Sequence, residues 1–186
     1  MSRAEVVIAG FGGQGIMLAG YILGYAATIY DRKNAVQMES YGPEARGGAA
    51  KTELIISTEE IDYPIVEEPD ILVVMSQEAY TRYHSKVKSN GTLIIDEDLV
   101  DLTPPPPPGV SVYKVPATRI AEALGRRIVA NMVMLGALCA ITKVVSPKAM
   151  EEAIKSRVPK GTEELNIKAF RAGYDFAIRL MRGEVD

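Results

Sequence analysis

The stretch Val7–Leu23 reads VIAGFGGQGIMLAGYIL and decides the fold class of this chain. An apolar run typical of a buried parallel strand leads into it, and a helix-like run leads out of it. Between the two runs, Gly10, Gly12 and Gly15 match the G-x-G-x-x-G spacing of a dinucleotide-binding turn. Glycine permits positive φ and lets backbone N–H groups approach a ligand, and a helix start favours an anion. The turn therefore predicts either a phosphate-binding site or a tight strand-to-helix turn without a ligand.

Strand-like and helix-like segments alternate from this turn onward, and the last third of the chain reads as helical. Strands are predicted over 3–9, 35–39, 50–57, 71–75, 91–96 and 110–115, and helices over 14–29, 77–87, 117–125, 127–143 and 162–182. Segment 50–57 alternates like a strand with one wet face, which is compatible with an antiparallel strand. The order predicts an α/β fold, a three-layer sandwich on a Rossmann-like, mostly parallel sheet. We expect one domain over residues 1–186.

Composition narrows the class of protein. The net charge of −3 and the pI of about 5.4 argue against a nucleic-acid partner, which usually requires a basic face. The longest apolar runs are shorter than the roughly 20 residues of a membrane span. The chain starts with MSRAEVVIAG, which enters a core strand directly and lacks the pattern of a secretory leader. These features predict a cytoplasmic protein that binds neither nucleic acid nor membranes.

The sequence contains one cysteine, Cys139, and one histidine, His84, which excludes an iron–sulfur cluster and a structural zinc site formed by Cys and His ligands. An iron–sulfur cluster takes several thiolates, and a structural zinc site takes four Cys or His ligands. Cys139 lies in the apolar run MLGALCAIT and is expected to be a small buried hydrophobe. His84 lies at a polar helix end and is expected to be solvated. We therefore predict no metal ligands and no catalytic residues in this chain.

A second glycine-rich stretch, Ser40–Ala49, reads SYGPEARGGA and follows the second predicted strand. Because ligands bind at the carboxyl ends of strands in open α/β sheets, we expect this loop beside the glycine turn. Three glycines and a Tyr-Gly-Pro turn indicate a loop that meets another surface. The alternative is a wide turn with two solvated charges.

A nicotinamide-binding oxidoreductase is the first functional alternative. Its second strand should end on an acidic residue that binds the ribose, and Glu39 is close to that place. However, no pair of residues suited to hydride chemistry follows, and a second substrate domain is missing. An oxidoreductase of 186 residues that carries only a cofactor turn would be incomplete.

Four segments together resemble the gamma subunit of the 2-oxoacid:ferredoxin (acceptor) oxidoreductases. They are AGFGGQGIMLAG, SYGPEARGGAAKTELIIS, PDILVVMSQEAY and RIVANMVMLGALCAIT, and they occur in order over nearly the whole chain. The YGPEARGG loop and the later EEIDYPIV stretch are most similar to the 2-oxoglutarate branch.

The resemblance implies a subunit of an enzyme that converts a 2-oxoacid and coenzyme A (CoA) into an acyl-CoA and carbon dioxide. Thiamine diphosphate, Mg and the iron–sulfur clusters would belong to partner alpha and beta subunits and to a separate ferredoxin-like delta subunit. The isolated chain would be inactive and could pair with itself. The similarity to the 2-oxoglutarate branch implies 2-oxoglutarate as the 2-oxoacid and succinyl-CoA as the acyl-CoA.

The two glycine-rich loops would form one edge that faces the partner subunits and the CoA entrance. The candidate residues of this edge are Gly10, Gly12, Gly13, Gln14, Gly15, Tyr41, Gly42, Glu44, Arg46, Gly47 and Gly48. Gly12, Gly13 and Gln14 could offer donors to a phosphate, and Arg46 could pair with a phosphate or a partner carboxylate. A purely structural subunit with an empty glycine turn remains an alternative. Asn131, the polar residue of an apolar helix, bonds either a neighbouring loop backbone or a ligand.

Overall fold

A computed structural model of the chain describes residues 2–41 and 48–186. Its strands are β1 (Arg3–Phe11), β2 (Asn34–Tyr41), β3 (Ala49–Ser57), β4 (Ile71–Val74), β5 (Thr92–Asp96) and β6 (Ser111–Val115). Its α-helices are α1 (Ile16–Tyr25), α2 (Gln77–Tyr83), α3 (Ala117–Ala123), α4 (Ala130–Thr142), α5 (Pro147–Arg157) and α6 (Glu163–Met181).

All six strands form one sheet in the order β2-β3-β1-β4-β5-β6. Strands β1, β4, β5 and β6 pair in parallel, whereas β3 runs antiparallel to both of its neighbours, β1 and β2. Strand β3 follows β2 after a short loop, and a connection of that length joins antiparallel strands. The mostly parallel sheet is confirmed, and segment 50–57 is the antiparallel strand.

The helices cover the two faces of the sheet unequally. Helices α1, α3, α4, α5 and α6 contribute to the larger buried core on one face. The smaller core on the other face holds Ala79, Tyr80 and Tyr83 of α2. A sheet that buries apolar side chains on both faces needs helices on both, so the three-layer α/β prediction is confirmed.

The predicted helix boundaries differ from the structure where local geometry interrupts the helix. Helix α1 begins at Ile16 because Gly15 adopts left-handed φ, and it continues into a π-helical turn at Ala26–Tyr30. Ser146 caps α5 by accepting the Ala149 N–H at 3.2 Å, as its place before Pro147 indicates.

Helices α4 and α6 pack backbone against backbone. A Cβ added at Gly136 would overlap the carbonyl of Phe170, and one added at Gly173 would overlap the carbonyl of Val133. Helix α4 is buried along most of its length. Within residues 2–41 and 48–186, no helix combines the length and apolar character needed to cross a bilayer.

Candidate functional site

The glycine turn between β1 and α1 contains two residues with left-handed backbone. Gly13 has φ +94° and Gly15 has φ +74°, values that side chains rarely adopt. A Cβ at Gly12 or Gly13 would meet nothing within 4 Å, so the backbone of both residues is open to an approaching group. The turn leads into the first turn of α1, whose N–H groups have no intrahelical partners. This geometry suits a ligand with an anionic group.

Gln14 joins the carboxyl ends of two neighbouring strands. Its Oε1 accepts the Phe11 N–H at 2.6 Å, and its Nε2 donates to the Met75 carbonyl oxygen at 2.8 Å. Met75 follows β4, the parallel neighbour of β1. Both ends of the Gln14 amide therefore hold the edge of the sheet, and its role toward a phosphate stays a prediction.

Asn131, in the first turn of α4, fixes the other end of the glycine turn. Its Nδ2 donates to the Gly15 carbonyl oxygen at 3.1 Å, and its Oδ1 accepts the Met132 N–H at 2.9 Å. The side chain is buried and lies so close to Gly15 that an added Cβ would overlap it. The structure thus favours the loop-backbone interpretation of Asn131.

A cleft of about 530 Å³ opens beside the glycine turn. Phe11, Gly12, Gly13 and Gly15 form one wall, with Met17 and Leu18 of α1, and Gly48 and Ala49 border it from the second loop. The start of α4 and the start of α6 complete the lining, with Arg126, Ile128, Asn131 and Leu165 among the residues. Most of these side chains are apolar, which is typical of a binding cleft with few polar anchors.

The ends of the second loop lie at the same edge. Tyr41, the last residue of β2, pairs with Ala50 of β3, which in turn pairs with Gly10 of β1. Gly48 is buried and lines the cleft. The predicted juxtaposition of the two loop ends is therefore present. Gly42, Glu44, Arg46 and Gly47 lie outside the described residues, and their roles stay predictions.

Two arginines flank the turn and were not among the residues expected from the sequence. Arg126 lines the cleft, and Arg127 lines a smaller depression on the other side of Gly13 and Gln14. Both side chains are exposed, and neither pairs with a carboxylate in the described part of the chain. Exposed Ile128 (51%) and Phe11 (46%) lie beside them. The only sequence signal was a pair of arginines directly after the helix-terminating Gly125.

The strand order does not support the dinucleotide alternative. In a dinucleotide-binding fold the second strand lies beside the first, and its last residue reaches the ribose. Here β3 separates β2 from β1, so Glu39 is displaced from β1 by two strand spacings, roughly 10 Å. The glycine turn therefore resembles a dinucleotide-binding turn, but the adjacent strand does not provide the acidic residue that binds the ribose.

Cys139 and His84, the cysteine and histidine of the chain, do not line the cleft. Cys139 is buried in α4 and donates from Sγ to the Val145 carbonyl oxygen at 3.1 Å, and burial raises its pKa to about 12. His84 stacks on Tyr80, with ring centroids 4.9 Å apart. Among the described residues, no group of His, Cys, Asp or Glu side chains is arranged to hold a metal ion. With its single cysteine, the chain does not fit an iron–sulfur cluster.

Comparisons with known proteins found relatives over nearly the whole chain. The family model described as pyruvate ferredoxin/flavodoxin oxidoreductase matches residues 5–176. The chain is 56% identical to the 2-oxoglutarate synthase subunit KorC of Methanocaldococcus jannaschii, covering 96% of each chain. It is 54% identical to the KorC subunit of Methanothermobacter marburgensis, covering 98% of this chain and 99% of that one.

Among solved structures, the gamma subunit of a keto/oxoacid ferredoxin oxidoreductase from Geobacter sulfurreducens superimposes with a TM-score of 0.84. The sequences are 46% identical, and the superposition covers 94% of this chain and 98% of that one. The resemblance drawn from the four sequence segments is thus confirmed, including its 2-oxoglutarate branch. The chain belongs to the pyruvate ferredoxin/flavodoxin oxidoreductase family.

Proposed function

We propose that the chain is the gamma-type subunit of a 2-oxoglutarate:ferredoxin (or other acceptor) oxidoreductase. In this reaction 2-oxoglutarate loses carbon dioxide, its acyl group joins CoA as succinyl-CoA, and two electrons pass to the acceptor. The support for this substrate is the name shared by two full-length relatives that are 56% and 54% identical to the chain.

The chemistry of decarboxylation and electron transfer would belong to other subunits. The chain has one cysteine, and its described residues offer no group of metal ligands. As the family resemblance implies, we assign thiamine diphosphate, Mg and the iron–sulfur clusters to alpha and beta subunits and a ferredoxin-like delta subunit. No step of the reaction is assigned to a side chain of this chain.

The contribution of this chain would be the edge that carries the glycine turn. CoA combines anionic phosphates with a slender pantetheine arm, in which methyl and methylene groups alternate with two amides. The cleft offers an open Gly12–Gly13 backbone and a helix start for a phosphate, and apolar walls for the arm. Arg126 on its wall is a cation without an ion-pair partner in the described residues. This combination is the observation that carries the assignment of the edge to CoA and to the partner subunits.

A mild affinity purification of the tagged chain from its own host tests the function. The eluate is assayed for CoA-dependent electron transfer from 2-oxoglutarate, pyruvate and branched 2-oxoacids to a dye. Co-purification of further subunits with turnover of 2-oxoglutarate is the expected result. A chain that elutes alone, or a complex that turns over only another 2-oxoacid, contradicts the proposal.

Variants in the purified complex test the edge. Arg126→Ala and Arg46→Ala should each raise the KM for CoA about tenfold with little change in kcat, because a charge-assisted contact to phosphate is lost. Gln14→Ala should also raise the KM for CoA, but indirectly, because the Gln14 amide holds the ends of β1 and β4 together. Arg182→Ala, at the exposed end of α6, is the matched control.

A structural subunit that leaves CoA to its partners is the second candidate function. It predicts that the Arg126 and Arg46 variants change only the stability of the complex. Unchanged assembly and an unchanged KM for CoA in both variants would reject the CoA-facing edge altogether.

A further inference from the structure

The segment of residues 58–70, TEEIDYPIVEEPD, crosses the sheet edge opposite to the glycine turn; it is called here the acidic segment. It connects the end of β3 to the start of β4 and therefore passes the amino end of β1, where Arg3 pairs with Ser57. The segment has no helix or strand along its 13 residues. Connections of about this length without regular structure are uncommon in compact folds, and they are usually either functional loops or linkers.

The acidic segment contacts the rest of the chain at Tyr63, Val66 and Asp70. Arg3 Nη2 donates to the Tyr63 carbonyl oxygen at 2.9 Å in its middle. At its end, the Asp70 carboxylate accepts the Glu5 N–H at 2.8 Å, and the Asp70 N–H donates to the Glu5 carbonyl oxygen at 2.9 Å. Val66 packs against the smaller core. The segment is therefore attached to β1 and to the smaller core at its middle and at its end.

Two large apolar side chains project from the acidic segment. Tyr63 is 56% exposed and Ile65 is 46% exposed, although Val66 between Ile65 and Glu67 turns inward. Exposed apolar residues scattered singly need no explanation, but here two lie on one anchored segment with charged residues on both sides. Such an apolar centre with a charged rim is the usual composition of a protein–protein interface.

The charge of the segment is entirely negative. It holds six carboxylates and neither Lys nor Arg, and only Asp70 forms an ion pair, with Lys88 at 3.0 Å. The other five carboxylates, Glu59, Glu60, Asp62, Glu67 and Glu68, pair with no cation in the described residues. A two-fold dimer through this surface would bring the carboxylates of both copies together, which is unfavourable. The charge pattern instead complements a basic surface on a different protein.

We propose that the acidic segment is a docking surface for another subunit of the complex, which receives Tyr63 and Ile65 in an apolar depression lined by lysine and arginine side chains. The inference rests on the proposed function for the existence of that subunit. It places a second contact at the sheet edge opposite to the CoA-facing cleft, so the chain would be held from two ends.

A photo-crosslinker at position 63 tests the contact within the assembled complex. Tyr63→p-benzoyl-phenylalanine is introduced into the host, the complex is irradiated, and the adduct is mapped by mass spectrometry. The expected product joins this chain to a Lys/Arg-rich segment of a different subunit. An adduct with a second copy of this chain, or no adduct, overturns the proposal. Tyr21→p-benzoyl-phenylalanine, at a 42% exposed tyrosine of α1, is the matched control position.

Dilution of the purified complex measures the strength of the contact. The double variant Tyr63→Ser/Ile65→Ser should raise the dissociation constant of the chain from the complex about 10- to 100-fold, because the central apolar contacts are lost. Glu67→Lys with Glu68→Lys should weaken binding about tenfold and remove much of its salt dependence. Tyr21→Ser should change retention less than twofold. Limited proteolysis of the variant chains checks that each remains folded.

The outcomes separate this proposal from the proposed function. If the wild-type complex turns over 2-oxoglutarate while both double variants are retained like wild type, the docking surface is wrong and the function stands. If the wild-type chain neither associates with other subunits nor supports turnover, the function is wrong and the docking surface is rejected with it.

Discussion

The Asn131 side-chain amide donates a hydrogen bond of 3.1 Å to the Gly15 carbonyl oxygen, across 116 positions of the sequence. This bond attaches the first turn of α4 to the glycine turn and so positions Arg126, Arg127 and Ile128 beside it. The cleft therefore depends on a contact between two parts of the chain that carry no sequence signal of their proximity.

Asn131→Ala should lower the free energy of unfolding by about 1–3 kcal/mol, because it removes two hydrogen bonds, one of which leaves the buried Met132 N–H without its acceptor. The Gly15 carbonyl keeps only the Ala19 N–H, at 3.0 Å, as its donor. Urea unfolding of both chains measures the difference. Hydrogen exchange at the amides of residues 12–16 should accelerate as well. Asn166→Ala is the matched control, since that buried amide bonds only its own helix end, at Thr162; it should leave the exchange of residues 12–16 unchanged.

Gly15→Ala should destabilise the chain by about 1–3 kcal/mol, because the residue has φ +74° and an added Cβ would overlap Asn131. Gly12→Ala should change the free energy of unfolding by less than about 0.5 kcal/mol, because an added Cβ there meets nothing within 4 Å. Thermal or urea unfolding of the two variants compares them directly. Equal stabilities would contradict the geometry of the turn.

Asp96, the last residue of β5, gives a pH dependence of known sign. Its carboxylate is fully buried and accepts the Thr118 hydroxyl at 2.7 Å, and burial raises its pKa above the ordinary 3.8. The folded chain then binds a proton more tightly than the unfolded chain. The contribution of Asp96 to stability is therefore greatest below the unfolded pKa and decreases as pH rises toward the folded pKa.

Asp96→Asn removes this titration while it keeps an acceptor for the surrounding donors. The free energy of unfolding of the variant, minus that of wild type, should increase as pH rises from about 4. Urea unfolding at a series of pH values measures the slope, and pH-independent changes in hydrogen bonding affect only the offset. If the difference in the free energy of unfolding is independent of pH or decreases as pH rises, the pKa of Asp96 is not raised in the folded chain.

Cys139 should be unreactive toward thiol reagents in the folded chain. Its side chain is 2% exposed, and its pKa is raised to about 12, so both access and thiolate formation are suppressed. A disulfide reagent at neutral pH should label it only when the chain unfolds, and the labelling rate should follow urea concentration. Rapid labelling under native conditions would mean that α4 opens without global unfolding.

Local features of the fold could be predicted because they depend on neighbouring residues. The apolar run before GFGGQG and the helix after it mark a strand, a turn and a helix in chain order. The alternation over 50–57 indicates a strand, and the structure has β3 there, although Ile55 and Ser57 are buried on the face expected to be wet. Ser146 before Pro147 marks the start of α5. The segments that carry the family resemblance are also read directly from the sequence, and the relatives confirm that reading.

The candidate site could be predicted only in part, because some of its residues are distant from one another in the sequence. The glycine turn is local, whereas Arg126, Arg127 and Ile128 come to it only through the packing of α4 against the sheet and α6. Part of the acidic segment, EEIDYPIV, contributed to the family resemblance, but the exposure of Tyr63 and Ile65 beside the inward-facing Val66 is seen only in the structure.

The order of strands and helices, the glycine turn and the family can be read from the sequence, because they follow from local pattern and composition. The position of β3 between β1 and β2, and the distance of Glu39 from β1, are seen only in the folded chain. The same holds for the cleft at one edge of the sheet and the acidic surface at the other. These features depend on hydrogen bonds and packing between distant residues, and such pairings leave no periodic signal in the chain.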